Sequence, residues 1–497
     1  MLATVVWIKS ADEFPKELSQ SMNPTRRSLL KAPRLLAAYP FFAALNSLAA
    51  NSSEIPTGSG VKPNEVDRGL IDVFDKMWIA DSHEHIIDEA DRNSRDIDFF
   101  DLLSNYTLGD LVSAGLSKEG MQLALNKKAP DDKRWAAVEQ YWRYARFTGY
   151  ARNLRIAICD IYGIDEISAA TIGKINAAIR EKNKLGLYRE ILKTRARIRF
   201  YVLDDRHTHP SKPDREFYVI AREFDDFVVP ESRQSIRRLE ELTNTSITSL
   251  ATLEAALEVR FNEALQAEMS AVKTLLAYTR DIFFSEVERG AAEADFSRMI
   301  QTENSPQWNF RNYTNRPFRN LEDHMFHQVM RLANSHRVPV QVHTGLTNNN
   351  YIANANPTHL TNLFFLYPDT KFDLFHIGYP YLGEISALAK EFSNVYVDFC
   401  WAYIISPTAS ARALAEYLDT IPSNKILAFG GDFLYPELSY AHAKIARRVV
   451  AKVLAVKVEE GVCKEEEAVG LGKRMFFDNV ASLFFPGAEN AYRGVYD

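Results

Sequence analysis

Short apolar runs recur along the chain and alternate with stretches in which apolar residues are spaced three and four positions apart. The runs predict eight strands, at residues 77–80, 198–203, 217–224, 271–278, 339–343, 372–376, 395–399 and 426–429. Strands that alternate with helices pair in parallel, and eight such units close into a barrel. The pattern therefore predicts an α/β fold, a (β/α)8 TIM barrel.

The longest helical pattern lies between the first two predicted strands. Within it, Trp135, Val138 and Trp142 are spaced to lie on one face of a helix. We therefore predict a large helical insertion after the first strand, at residues 86–197, which caps one end of the barrel. With this insertion, the barrel domain is predicted to span residues 67–497.

The first fifty residues have the pattern of an export signal. Residues 25–31 contain a pair of arginines, an apolar stretch follows at 35–45, and small residues precede Ala50. These features predict a twin-arginine-type signal peptide over residues 1–50. The apolar stretch is shorter than the roughly 20 residues that a membrane helix needs, so stable membrane insertion is not predicted.

This interpretation bears on the start of the protein, on the segment that follows the signal and on the location. Met22, just upstream of the arginine pair, is an alternative start, and residues 51–66, rich in Ser, Pro, Gly and Asn, are predicted to be a linker. The predicted location is the periplasm, reached through the twin-arginine route. If the N-terminal segment is a tail with a chance arginine pair, the prediction becomes the cytoplasm.

The composition indicates which kinds of molecule the protein binds. The formal net charge is -6 over 497 residues, and no block of Lys and Arg occurs, which argues against nucleic acid and anionic membranes as main partners. A small-molecule substrate is expected, and a homo-oligomer stays open. The 3 cysteines are too few and too scattered for a cysteine-based zinc site. Any metal is therefore expected to be bound by His and carboxylate groups.

Candidate ligands follow the predicted strands. The first strand runs into Asp81-Ser82-His83-Glu84-His85, where two imidazoles at i and i+2 point the same way. His343 ends the fifth predicted strand, His376 the sixth, and Asp432 follows the eighth. Catalytic groups of such barrels lie at the carboxyl ends of the strands, so these side chains are expected to converge.

A second His-x-His pair, His207 and His209, has a different context. It follows Asp204-Asp205-Arg206 and precedes Pro210-Ser211-Lys212-Pro213, which is a sequence typical of a loop. We predict that this pair lies in a loop near the barrel mouth and does not bind the metal.

Jointly, the strand-end motifs resemble those of the amidohydrolase superfamily, in its amidohydrolase-related subgroup. The chain is most similar there to the amidohydrolase-like domains that are fused to glutamine synthetase-type domains. The resemblance covers most of residues 77–480 and is carried by DSHEH at 81–85, VPVQVHTG at 338–345, HIGYP at 376–380, and Gly431-Asp432 followed by Tyr435-Pro436-Glu437.

The resemblance implies roles for these residues. His83, His85, His343 and Asp432 would be ligands of a divalent metal, with Zn(II) favoured, and His376 a ligand or a group that polarises the substrate. Such a ligand set leaves a position for water, which the metal activates. Asp432 would act as the catalytic proton acceptor, and His376 would hydrogen-bond the oxyanion.

Four further residues are candidates with open alternatives. Lys273 lies on the fourth predicted strand, where some superfamily members carry a carboxylated lysine that bridges two metals. An ion pair with an Asp or Glu, or a contact with a substrate anion, is favoured, so one metal is preferred and two stay open. Arg280 is a candidate for binding a substrate carboxylate, or for a surface salt bridge. Tyr379 and Trp401 are candidates for lining the substrate pocket, or for packing.

The predicted function is metal-dependent hydrolysis of a C–N bond, or of an ester or lactone, in a small polar substrate. Uronate isomerases share the barrel, the early His-x-His motif and a long helical insertion, so isomerisation is a rival, as is decarboxylation. A catalytically silent barrel that binds a metabolite is the non-enzyme alternative.

Overall fold

Eight parallel strands lie side by side in chain order in the computed structural model, which describes residues 65–207, 210, 212–305, 316–347 and 351–485. The predicted signal peptide, almost all of the predicted linker and His209 lie outside the described residues. The strands, β1 to β8, are Ile79–Glu84, Ile198–Asp204, Tyr218–Glu223, Met269–Thr274, Val340–Val342, Phe372–Leu374, Val395–Asp398 and Ile426–Leu427. The predicted TIM barrel and its eight strands are confirmed.

Two boundaries differ from the prediction in ways that matter for the site. β1 extends to Glu84, since Asp81 and Glu84 remain paired with β2. β6 ends at Leu374, before His376, because the backbone of His376 and Ile377 has positive φ angles of 63° and 50°, which a strand does not allow. His376 therefore lies in a tight turn and not on the strand.

The segment after β8 closes the barrel against β1. The Ser82 N–H donates to the Phe429 carbonyl oxygen at 3.0 Å, and the Asp432 N–H donates to the His83 carbonyl oxygen at 2.9 Å. These bonds hold the predicted ligand Asp432 beside the predicted ligand His83 through backbone contacts alone.

Helices cover the outside of the barrel. α1 is Glu65–Lys76, so Glu65 and Val66 belong to this helix and not to the predicted linker. The segment between β1 and β2 is mainly helical and contains α2 to α8: Glu89–Asn93, Phe99–Ser104, Thr107–Ser113, Lys118–Leu125, Asp131–Ala145, Gly149–Tyr162 and Ile172–Lys182. We call residues 86–197 the helical segment. A π-helix, Arg189–Arg195, leads into β2.

The later connections are shorter. α9 to α11 precede β4, and α12 and α13 precede β5: Asp225–Val228, Arg233–Thr243, Leu250–Gln266, Arg289–Met299 and Arg319–His336. α14 to α17 follow β5, β6 and β7: Thr361–Leu366, Leu382–Glu391, Ala402–Ile405 and Pro407–Thr420. α18 to α20 end the described chain: Pro436–Glu459, Glu465–Lys473 and Asn479–Phe484. No helix in these described ranges is long and apolar enough to cross a membrane.

The two ends of the barrel interior differ in polarity. Near the strand starts, Phe200 packs against Phe477 and Phe485 with ring centroids 5.7 Å and 3.7 Å away, so the C-terminal segment covers this end with apolar side chains. Toward the strand ends the interior carries buried polar groups instead, including Asp81, Lys273, Gln341, Asp373 and Asp398. Such groups replace the branched apolar side chains that normally fill these barrels.

Candidate metal centre

Three of the predicted ligands meet where β1 ends. His83 Nε2 and His85 Nε2 lie 3.2 Å apart. Asp432 Oδ1 lies 3.2 Å from His85 Nε2 and 3.6 Å from His83 Nε2. The donors of a tetrahedral metal with bonds of about 2.0–2.1 Å lie about 3.3 Å from one another. The three atoms therefore have the spacing of ligands around one cation.

His343 and His376 form a second pair. His343 Nδ1 and His376 Nε2 lie 3.1 Å apart. The other nitrogen of each ring faces a backbone carbonyl, His376 Nδ1 at 2.8 Å from the Cys400 oxygen and His343 Nε2 at 3.1 Å from the Leu346 oxygen. Because a carbonyl only accepts, these contacts assign the proton of each neutral ring to the nitrogen that faces it.

This assignment leaves two lone pairs facing each other across 3.1 Å, which is unfavourable unless a cation or a proton lies between them. Burial lowers the pKa of His376 to about 4 and, with the neighbouring His376, lowers the pKa of His343 well below its usual value. A shared proton is therefore absent at neutral pH. We call His83, His85, His343, His376 and Asp432 the donor cluster; its donors fit a divalent metal.

Asp432 is ionised at neutral pH. Its burial alone would raise the pKa, but the contact with His85 and the positive charge of Lys273 oppose burial, and the pKa lies below its usual value. Its backbone has a φ of 64°, which turns the side chain away from the path of β8 toward the histidines. An ionised carboxylate can both bind a metal and accept a proton.

Lys273 lies next to His83, one of the two histidines at the end of β1. Its amino group is buried, 3.3 Å from His83 Nε2 and 3.8 Å from the centre of the Phe375 ring. Burial raises the pKa of Asp373 well above its usual value and that of Asp398 to about 7, and the charge of Lys273 opposes both shifts. Lys273 is thus electrostatically coupled to buried carboxylates and also lies next to His83, so each of its predicted roles stays a prediction.

Sequence reasoning missed two potential ligands. Asp204, the last residue of β2, places Oδ2 3.7 Å from His85 Nδ1, and its ligand atom groups with those of His83 and His85 within 4.8 Å. Cys400, two residues after β7, groups in the same way with His376 and Asp432. Asp204 could have been found, because it is a polar residue at a strand end like the others. Cys400 carried no comparable signal.

Arg280 does not lie where the prediction needs it. Its side chain is fully buried, with Nη1 2.9 Å from Glu322 Oε2 and Nη2 2.5 Å from Asp323 Oδ1. Arg316 also donates to Glu322, from Nε at 2.9 Å. We call these four residues the Arg280 network. The guanidinium is therefore committed to protein carboxylates in the interior, which corrects both the predicted substrate contact and the surface salt bridge.

The two aromatic candidates have different surroundings. The Trp401 ring lies edge-on to His376, with centroids 5.0 Å apart, which places it beside the donor cluster. Tyr379 is half-buried, and its carbonyl oxygen accepts from the Leu346 N–H at 2.6 Å. Its backbone therefore holds Leu346, whose carbonyl oxygen faces His343 Nε2. His207, expected in a loop, follows β2, and its ring lies 5.6 Å from that of His85.

Comparison with known proteins agrees with this arrangement. Residues 207–467 match a family model described as amidohydrolase. A curated relative, protein fluG of Emericella nidulans, is 30% identical over 171 residues, which are 33% of this chain and 20% of the relative. The match thus spans about a fifth of the length of that relative.

Solved structures share the fold at low sequence identity. A uronate isomerase from Thermotoga maritima is 17% identical with a TM-score of 0.69, covering 85% of this chain and 98% of its own. A glucuronate isomerase from Caulobacter crescentus is 16% identical with a TM-score of 0.65, covering 84% and 93%. A proposed metal-dependent hydrolase from Lactobacillus casei is 15% identical with a TM-score of 0.57, covering 84% and 97%. At these identities the likeness concerns the fold.

Proposed function

The chain belongs to the amidohydrolase family, and from this premise we propose that it is a metal-dependent hydrolase. The proposed reaction is cleavage of a C–N bond of the amide type, or of an ester or lactone, in a small molecule. The supporting observation is the facing lone pairs of His343 Nδ1 and His376 Nε2, next to the converging atoms of His83, His85 and Asp432. Ring nitrogens and a carboxylate that converge in this way are suited to binding a cation.

The donors favour Zn(II) over Mg(II) or Ca(II), because imidazole nitrogens suit borderline cations and the hard cations prefer oxygen. His83, His85 and Asp432 would hold one ion, and His343 and His376 would complete that site or hold a second. A bound ion supplies Lewis acidity, which makes water acidic enough to attack near neutral pH.

The chain's own groups have separate roles in this proposal. Asp432, which is ionised, accepts the proton of the attacking water and returns it to the leaving group. His376 acts as a ligand, because its single proton is engaged with the Cys400 carbonyl and is not available for an oxyanion. This replaces the role of oxyanion donor that the resemblance also allowed.

The test is a turnover screen with metal-replete protein. N-acyl amino acids, γ-glutamyl amides and lactones are incubated with the wild type, with protein treated with a chelator, and with Asp432→Asn. We expect hydrolysis of at least one class, loss on chelation with recovery on adding Zn(II), and a decrease in kcat of about 10²–10⁴-fold in Asp432→Asn. Turnover that persists after chelation and in Asp432→Asn would contradict the proposal.

Isomerisation of a sugar acid is the second candidate. It is favoured by one observation, the match of the fold to nearly the whole chain of the uronate isomerase from Thermotoga maritima. Glucuronate and galacturonate are included in the screen, and ketose formation is followed. Ketose formation without hydrolysis of the other probes would replace the hydrolase proposal with this one.

A further inference from the structure

Three aromatic side chains from distant parts of the chain pack together next to residues of the donor cluster. The Trp401 and Tyr150 rings are stacked, with centroids 5.7 Å apart and planes 13° apart. Tyr106 lies 4.9 Å from Trp401 and 5.6 Å from Tyr150. We call Tyr106, Tyr150 and Trp401 the aromatic wall. Two of its members come from the helical segment and one follows β7.

The aromatic wall is bonded directly to the proposed site. The Tyr106 hydroxyl donates to the Asp432 carbonyl oxygen at 2.7 Å. The Trp401 ring contacts His376, and its indole Nε1 is buried without a hydrogen-bond partner in the described part of the chain. A buried indole N–H without a partner is unfavourable, so it is available to a group that a ligand brings.

The backbone holds these rings in place at a conformational cost. Tyr106 and Trp401 have φ angles of 79° and 59°, a region that residues other than glycine rarely adopt. Gly149, next to Tyr150, lies so close to α16 that a Cβ added there would be 2.0 Å from the Ile404 carbonyl oxygen. This contact fixes the start of α7 against the segment after Trp401. The wall is therefore positioned by tight packing.

Two arginines near the donor cluster are bound to protein carboxylates, and the buried amino group of Lys273 lies against His83 and the Phe375 ring. Arg206, at the end of β2, donates to both oxygens of Glu223 at 2.9 Å and 2.8 Å, and Arg222 donates to Asp205. Arg280 belongs to its own network. An anionic substrate group would have to compete with these carboxylates, whereas a flat uncharged group gains stacking and an N–H donor at the aromatic wall.

We propose that the aromatic wall selects substrates that carry an uncharged aromatic ring next to the bond that reacts. This inference rests on the proposed function and names its substrate class. It separates the chain from enzymes that act on open-chain sugar acids, which present hydroxyl and carboxylate groups in place of a ring.

The test measures binding of two probes that share a metal-binding hydroxamate. Acetohydroxamate and phenylacetohydroxamate are titrated calorimetrically into full-length, Zn(II)-loaded protein, with glucuronate as a third ligand. We expect the phenyl group to tighten binding by about tenfold or more, because an aromatic ring buried against aromatic side chains contributes beyond its area. Cyclohexylacetohydroxamate, of similar size, is expected to gain less.

Variants test whether the aromatic wall causes the tighter binding of the phenyl probe. Tyr150→Leu and Trp401→Leu should reduce the phenyl preference, taken as the ratio of the two hydroxamate affinities within each variant, to about threefold or less. Tyr144→Leu, at an exposed tyrosine of α6, is the matched control and should keep the full preference. Tyr150 is only half-buried, so its variant remains informative if Trp401→Leu does not fold.

The outcomes separate the two proposals. Equal affinity for both hydroxamates, or a phenyl preference that both variants retain, would overturn the aromatic selection and leave the metal-dependent hydrolase standing. Failure of both hydroxamates to bind Zn(II)-loaded protein would overturn the proposed metal site and this inference with it. Glucuronate binding tighter than phenylacetohydroxamate would contradict the selection and favour the isomerase candidate.

Discussion

The donor cluster and the Arg280 network are both buried groups of polar side chains, yet their bonding differs. In the Arg280 network two guanidinium groups meet two carboxylates, Glu322 and Asp323, so the charges balance and the carboxylates accept from arginines. In the donor cluster, the lone pairs of His343 Nδ1 and His376 Nε2 face each other across 3.1 Å.

This difference distinguishes a structural group from a binding group. Buried polar atoms in folded proteins are paired, so a set that is paired within the chain has its partners already. Two ring nitrogens whose lone pairs face each other, as in His343 and His376, have their partner elsewhere. The predictions below test whether the two clusters behave as this contrast requires.

The largest effect on stability is expected in the Arg280 network. Glu322→Gln removes a charge that two arginines share, and we expect it to lower the free energy of unfolding by about 3–5 kcal/mol, since it weakens two buried charge-assisted hydrogen bonds worth about 1.5–3 kcal/mol each. Chemical denaturation measures the change. Glu293→Gln, in an exposed pair with Arg289 on α12, is the matched control and should cost no more than about 0.5 kcal/mol. An equal loss of unfolding free energy in both variants would show that the buried network stabilises the chain no more than an exposed ion pair does.

Zinc should stabilise the chain through the donor cluster. At roughly a hundredfold excess of Zn(II) over its Kd, we expect a stabilisation of about 3 kcal/mol, seen as a higher thermal midpoint. His343→Gln should reduce that increase, whereas His324→Gln should keep it, because His324 pairs with Glu254 outside the cluster. A zinc response that is the same in both variants would place the metal elsewhere.

The smallest effect is expected at Asp398. Burial raises the pKa of its carboxyl to about 7, so loss of its charge should cost little at neutral pH. Asp398→Asn removes that charge and keeps the oxygen that accepts from the Cys400 N–H. The free energy of unfolding at neutral pH should change by less than about 1 kcal/mol. A loss as large as that in Glu322→Gln would show that the charged form of Asp398 is needed.

Much of the barrel could be predicted because its signals are local. Each strand is a short apolar run, and His343, His376 and Asp432 each follow such a run, so parallel closure brings them together. His83 and His85 were recognisable by their i, i+2 spacing at the end of β1. The eight strands and the family resemblance are confirmed, while the metal roles of these residues stay predictions.

The surroundings of the site could not be predicted because they depend on contacts between distant segments. Nothing in the sequence near Arg280 shows that residues 322 and 323 will meet its side chain, since the contact depends on where α13 packs. Tyr106 and Tyr150 carried no signal for the same reason. They reach Asp432 and Trp401 only after the helical segment has folded against the barrel.

The most direct test of the donor cluster is the metal content of the purified full-length chain. Plasma mass spectrometry after dialysis against metal-free buffer should find roughly one or two equivalents of a divalent transition metal, with zinc the main element. The double variant His83→Gln and His85→Gln should lose at least one equivalent and remain folded by circular dichroism. A wild-type content below about a tenth of an equivalent, unchanged after incubation with Zn(II), would contradict the account.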